Sequence, residues 1–255
     1  MRVNVVSDVH GSVDALARAG DGADVLVCLG DLVLFLDYQD SSSGIFASLF
    51  GAERAERLVA LRTAKRFDEA RTFSHDLWTG LAEDPGTVIE REVRAQYAAL
   101  FAVMPTPAYL TYGNVDVPRL WPEFAREGHT VLDGQVVEIG DRRWGFVGGG
   151  LQTAMRTPYE VDDAAYAAKV AAVGSVDVLA CHITPDVPGL LYDVEARRFE
   201  RGSEAVLDAI RDTQPELVLF GHVHQPLRSR VRIGRTECVN VGHFRGTGRP
   251  YLVHS

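Results

Sequence analysis

Short apolar runs that stop abruptly at polar residues recur along the chain, and they predict buried strands. Val3–Val6 stops at Ser7-Asp8, Val25–Leu29 at Gly30-Asp31, and Ala108–Tyr112 at Gly113-Asn114. Val176–Ala180 stops at Cys181-His182, and Leu217–Phe220 at Gly221-His222. Two pairs of runs read as hairpins: Gln135–Ile139 with Arg142–Val147, and Arg228–Ile233 with Thr236–Val241. Tyr251–Val253 is a last strand. Helices are predicted at Val13–Ala19, opened by Ser12, at Ala164–Val173, and at about Glu204–Asp212, capped by Ser203. Gly148-Gly149-Gly150 reads as a flexible loop. Strands alternate with helices at first and pair with each other later, so the expected class is α/β with mixed sheets.

Between about Asp37 and Met104 the pattern changes. Leu58, Leu61, Phe67, Leu77 and Leu81 recur at roughly helical spacing, Pro85-Gly86 interrupts, and Ile89, Val93, Tyr97, Leu100, Phe101 and Met104 form one helix face. The expectation is a single domain, residues 1–255, with a mainly helical insertion at about 37–104. The apolar stripes read as packing faces. A lid, or a surface through which the chain forms a homo-oligomer, is the alternative.

Composition narrows the function. A chain of 255 residues with 46% hydrophobic and 24% charged positions can bury a large core and is not disordered. Its net charge of −9 argues against strong nucleic-acid binding and against an anionic membrane surface. No stretch approaches the roughly 20 apolar residues of a membrane span, and the first apolar run is too short for a signal peptide. Cys28, Cys181 and Cys238 are scattered and odd in number, which suggests a reducing compartment, the cytoplasm.

The strand ends carry the chemistry. Each of five predicted strands ends in a potential metal ligand: Asp8 and His10, Asp31, Asn114, His182, then His222 and His224. In open α/β sheets, ligands bind outside the carboxyl ends of strands, so these side chains can converge. Imidazole and carboxylate suit manganese, iron, zinc and nickel. Seven ligands are too many for one ion, whereas two ions roughly 3.5–4 Å apart, bridged by a carboxylate and a hydroxide, would use them all. Singly, the motifs are weak: Gly-Asp and Gly-Asn are common turn dipeptides, and a histidine after an apolar strand is more often a core residue. Their order along the chain is the signal.

In that order, Asp8-x-His10, Gly30-Asp31, Gly113-Asn114, His182 and Gly221-His222-x-His224, the sequence resembles the calcineurin-like metallophosphoesterase family. The motifs span nearly the whole chain, and the variant Gly113-Asn114-Val115 looks like the small prokaryotic phosphodiesterase-like branch. The resemblance implies two mixed β-sheets packed as a sandwich and flanked by helices. It also implies that Asp8, His10 and His224 hold one metal, that Asn114, His182 and His222 hold the other, and that Asp31 bridges them. The cofactors expected are therefore two divalent or transition metal ions, with manganese first and iron, zinc or nickel as alternatives.

One departure matters. Many family members have a histidine after the Gly-Asn pair, thought to help the leaving group depart. Here the stretch is Gly113-Asn114-Val115-Asp116, and valine cannot donate a proton. This puts strong activity on monoesters with poor leaving groups in doubt, and Asp116 is left to cap a turn. His243 is the candidate catalytic replacement; His75 and His129 stand in polar, surface-like contexts. Arg245 and Arg249 are candidates for a substrate phosphate, and the Gly148–Thr157 loop for shaping the pocket. The expected function is binuclear-metal-dependent phosphoester hydrolysis, by a phosphodiesterase or phosphatase acting on small phosphorylated metabolites or nucleotides through a metal-bridging hydroxide. The alternative is a protein-interaction scaffold of the same fold with little or no catalysis.

Overall fold

A computed structural model describes residues 1–153 and 156–255. The chain divides into two compact units, one formed by Met1–Leu32 with Leu100–Ser255 and the other by Val33–Ala99.

The first unit is built on two mixed sheets. One has five strands in the order Tyr251–His254, Arg2–Val6, Val25–Cys28, Ala108–Leu110 and His129–Val131. The last four of these are parallel and the first is antiparallel. The other has six strands in the order Arg230–Ile233, Thr236–Asn240, Leu217–Phe220, Val178–Cys181, Arg142–Val147 and Gln135–Ile139. Its four central strands are parallel, and each edge is closed by a hairpin partner.

The sheets face each other across one apolar layer. Val3, Val5, Val25 and Val27 of the first sheet share a buried cluster with Trp144, Phe146, Val178, Leu219 and Val239 of the second. The second sheet's outer face is covered by the helices Asp163–Val173 and Glu204–Thr213, through Tyr166, Val170, Val206 and Ile210. This is a two-sheet sandwich with flanking helices. The central strands are buried on both faces, which is why they read as continuous valine and leucine runs rather than alternating ones.

The second unit is helical: Ile45–Phe50, Ala52–Thr63, Phe67–Thr79 and most of Pro85–Val103. Its own core gathers Phe46, Phe50, Ala55, Leu58 and Leu61, with Phe35, Phe73 and Trp78 partly buried around them. No helix among the described residues is long and apolar enough to cross a membrane.

Several local expectations need correcting. The first helix covers only Val13–Leu16, because the chain then tightens into i→i+3 turns at Arg18 and Ala19. Ser12 makes no side-chain cap bond, whereas Ser203 Oγ accepts from Val206 N. Pro85 opens its helix rather than interrupting one, at a position where a missing N–H costs nothing. Phe67 is exposed: a turn with Lys65 at positive φ resets the helical phase just before it. Gly148-Gly149-Gly150 is not a free loop. The N–H groups of these glycines donate in turn to Asp133 Oδ1, to the Tyr112 carbonyl and to the Tyr159 carbonyl. Gly150-Leu151 also pairs in parallel with Glu160-Val161. Within the Gly148–Thr157 loop, residues 154 and 155 lie outside the described residues.

Candidate metal centre

The parallel strands of both sheets end at the same edge of the sandwich, and the loops that leave them are tied to each other. Asp8 N donates to the Gly30 carbonyl, His10 N to Asp31 and Gly11 N to Leu32, so the first two loops run side by side. Gly221 N donates to the His182 carbonyl, and Phe244 N and Arg245 N donate to Ser7 and Asp8, which bonds the loops of one sheet to those of the other. Asp8, His10, Asp31 and His222 all have positive φ, between 40° and 68°. Left-handed backbone is tolerated by Asp and His but costs about 1–3 kcal/mol per residue, and it collects at functional sites. Gly30 and Gly113 make the close approach possible: a Cβ on Gly30 would strike the Gly113 backbone, and one on Gly113 would strike Asp31.

The seven strand-end side chains meet. Asp31 lies at the middle, with Oδ2 3.9 Å from His10 Nε2 and 3.4 Å from His182 Nε2. On one side, His10 Nε2 and His224 Nε2 are 3.2 Å apart, and Asp8 Oδ1 is 3.4 Å from His224 Nε2 and 4.0 Å from His10 Nε2. On the other, Asn114 Oδ1 is 3.1 Å from His182 Nε2 and 3.0 Å from His222 Nδ1.

With His182 neutral, its contacts have the wrong polarity for ordinary hydrogen bonds. His182 Nδ1 lies 3.0 Å from the Leu29 carbonyl, which fixes the proton there and leaves Nε2 as a lone pair. That lone pair faces an amide oxygen and a carboxylate oxygen, neither of which can donate. Asp8 Oδ1 is buried and finds no hydrogen-bond donor among the described residues, while Asp8 Oδ2 accepts from His222 N. Lone pairs pointed at one another at 3–4 Å suit a cation between them. Nitrogen and oxygen donors in this mixture fit divalent transition metals.

The electrostatics agree. Burial alone would raise Asp8 and Asp31, but neighbouring imidazoles hold both below the usual carboxylate range. Burial alone would lower His182, yet Asp31, Asp8 and Asp116 raise it to about 9. Without an ion, the carboxylates would draw a second proton onto His182 Nε2, the position a cation would otherwise face.

Two further groups belong to the site, although no motif announces the first. Asp116 is fully buried and caps no simple turn. Its Oδ2 accepts from Asp31 N and Gly113 N, both at 2.8 Å, and its Oδ1 from Leu32 N at 3.0 Å. It therefore clamps the Asp31 turn to the Asn114 turn. Burial and then the Asp31 charge raise it to about 7. Val115 contributes its backbone, donating 2.9 Å to Asp31 Oδ1. The second group is His243, whose ring stacks on His224 at 4.0 Å and 6° and lies 5.8 Å from His10. Ring nitrogens of His10, His224 and His243 lie within 4.8 Å of one another. Burial and His224 lower His243 to about 4.

Arg245 is drawn into the site's frame, donating 2.9 Å to the His10 carbonyl, whereas Arg249 is exposed. His75 sits on a helix of the second unit. His129 is half-buried, on the edge strand against Phe101.

The calcineurin-like phosphoesterase family model matches residues 1–226, nearly nine-tenths of the chain. The chain belongs to that family. As a calcineurin-like phosphoesterase it is a metal-dependent phosphoester hydrolase. No curated protein matches it. One solved crystal structure aligns with TM-score 0.60 at 15% identity, covering 99% of this chain and 98% of the other. The crystal structure of TT1561 of Thermus thermophilus aligns with TM-score 0.51 at 13% identity, over 99% and 98% of the two chains. At such identities these neighbours show the fold alone. A structure described as a novel archaeal phosphodiesterase shares 16% identity over 97% and 87% of the chains, at a TM-score of 0.40 too low to bear on activity.

Proposed function

We propose that this phosphoesterase hydrolyses phosphodiesters, or phosphomonoesters with good leaving groups, in small phosphorylated metabolites or nucleotides. Asp8, His10 and His224 would hold one divalent ion, Asn114, His182 and His222 a second, and Asp31 both. The observation that carries this reading is the convergence of lone pairs on either side of Asp31 Oδ2, at 3.9 and 3.4 Å. Ions bound there would offset charge on the phosphoryl oxygens and lower the pKa of water towards neutrality.

The chain's own residues do the positioning. Val115 N, bonded to Asp31 Oδ1, leaves Oδ2 to face both clusters. The Leu29 carbonyl holds His182 in the tautomer whose Nε2 faces the site. The Val115 side chain offers no acid to a departing alkoxide, which supports diesters and activated monoesters as substrates. His243 stands beside His224 and, being neutral, would donate an N–H hydrogen bond to a phosphoryl oxygen. Manganese is the ion we assign first. Three buried, unpaired cysteines support the cytoplasm as the compartment.

The test is turnover of bis-p-nitrophenyl phosphate with Mn²⁺. Asp31→Asn and His222→Ala should each cut kcat/KM by at least about 10²–10³-fold, the scale of losing one group that stabilises a transition state. Metal-dependent turnover surviving both substitutions would remove this site from the reaction.

A further inference from the structure

The Asn114 side chain can turn either of two faces to the lone-pair cluster, an oxygen or an NH₂ group, and only the oxygen serves a cation. We infer that Thr157, anchored by Glu160, decides which face is presented, and so acts as a positioning residue for the ion beside His182 and His222. The inference rests on the two-ion reading above and extends it to residues that carry no motif.

The polarity of one hydrogen-bond relay settles the orientation. Asn114 Nδ2 donates 3.0 Å to Thr157 Oγ1, and the Thr157 hydroxyl donates 2.7 Å to Glu160 Oε1. Glu160 also accepts from Thr157 N at 3.1 Å, and from Thr153 N and Thr153 Oγ1, both at 2.8 Å. An ionised carboxylate only accepts, and a hydroxyl has a single proton. The Thr157 proton is therefore committed to Glu160, and its lone pair is left for Asn114. Were Asn114 turned over, its oxygen would face a hydroxyl lone pair and its NH₂ group would face the cation. The relay excludes that arrangement, and Oδ1 points at His182 Nε2 and His222 Nδ1. The backbone is held by the same segment: Tyr159 N donates 2.9 Å to the Asn114 carbonyl. Gly150, paired with Glu160 in the short parallel ladder, leaves no room for a Cβ against Asn114.

Thr157→Val keeps the shape and removes the relay, whereas Thr157→Ser keeps the relay. Metal-free protein is titrated with Mn²⁺, and bound ions are counted by equilibrium dialysis with elemental analysis. Wild type should bind two ions. Thr157→Val should bind one of them about 10- to 100-fold more weakly, the usual loss when an outer partner of a metal ligand is removed. Thr157→Ser should bind as wild type. Asn114→Asp in the Thr157→Val background should recover the weakened ion, because a carboxylate has no wrong face; a merely structural defect would not be rescued this way. Two ions bound by Thr157→Val at wild-type affinity would overturn the inference, as would equal weakening of both. Fewer than two ions on the wild type would instead overturn the two-ion reading beneath it.

Discussion

Asp8, Asp31 and Asp116 are buried together at strand ends whose backbone is partly left-handed, whereas the helices of residues 33–99 keep their charges in water. There, Glu69, Glu83 and Glu90 pair on the surface with Arg66, Arg91 and Arg94. Such exposed pairs contribute little to stability. The helical unit is held by its apolar cluster, with exposed Phe67 the exception to its apolar pattern. At the strand ends the local rules are broken together: bent backbone, buried carboxylates, and imidazoles facing one another. A chain tolerates that combination where the group that completes it is a ligand.

Three substitutions sharpen the contrast. In the helical unit stability should follow apolar volume, so Leu58→Ala, at a fully buried position, should cost about 2–5 kcal/mol in urea unfolding. At the strand ends it should follow hydrogen-bond acceptors instead. Asp116→Ala strands three backbone N–H groups. At about 1 kcal/mol each that is about 3 kcal/mol, and the loosened Asp31 and Asn114 turns should lower activity in the fraction that stays folded. A loss confined to stability would show that the clamp does not hold the site.

The smallest effect concerns a half-buried imidazole outside the acidic cluster. His129 is lowered by burial and by Arg126, the opposite of His182. With its folded pKa below the unfolded value of 6.5, the unfolded chain takes up a proton that the folded chain refuses. Stability should therefore fall as pH drops below about 6.5. His129→Gln should flatten that part of the unfolding profile between pH 5 and 7.5. An unchanged slope would place the acid sensitivity elsewhere.

Much of the molecule is legible from sequence, and the reasons differ by element. Strands buried on both faces announce themselves as unbroken apolar runs, and a polar residue just past each run marks its end; hence the meeting of Asp8, His10, Asp31, Asn114, His182, His222 and His224 can be anticipated. The parts that are not legible depend on partners distant in sequence. His129–Val131 and Gly150-Leu151 are too short to show a period. Asp116 bonds residues 84 and 85 positions away, so by itself it reads as a turn residue. Thr157 and Glu160 are ordinary loop residues until folding brings them to Asn114, 43 residues earlier in the chain as measured from Thr157. Phe67 reads as a packing residue only because a single left-handed residue, Lys65, shifts the helical phase out of sight of the pattern.

The most direct test of the central claim is anomalous diffraction from crystals soaked in Mn²⁺. Two peaks should appear, one beside His10 and His224 and the other beside His182 and His222, with Asp31 Oδ2 reaching both. A single peak, or none within reach of Asp31, would contradict the account.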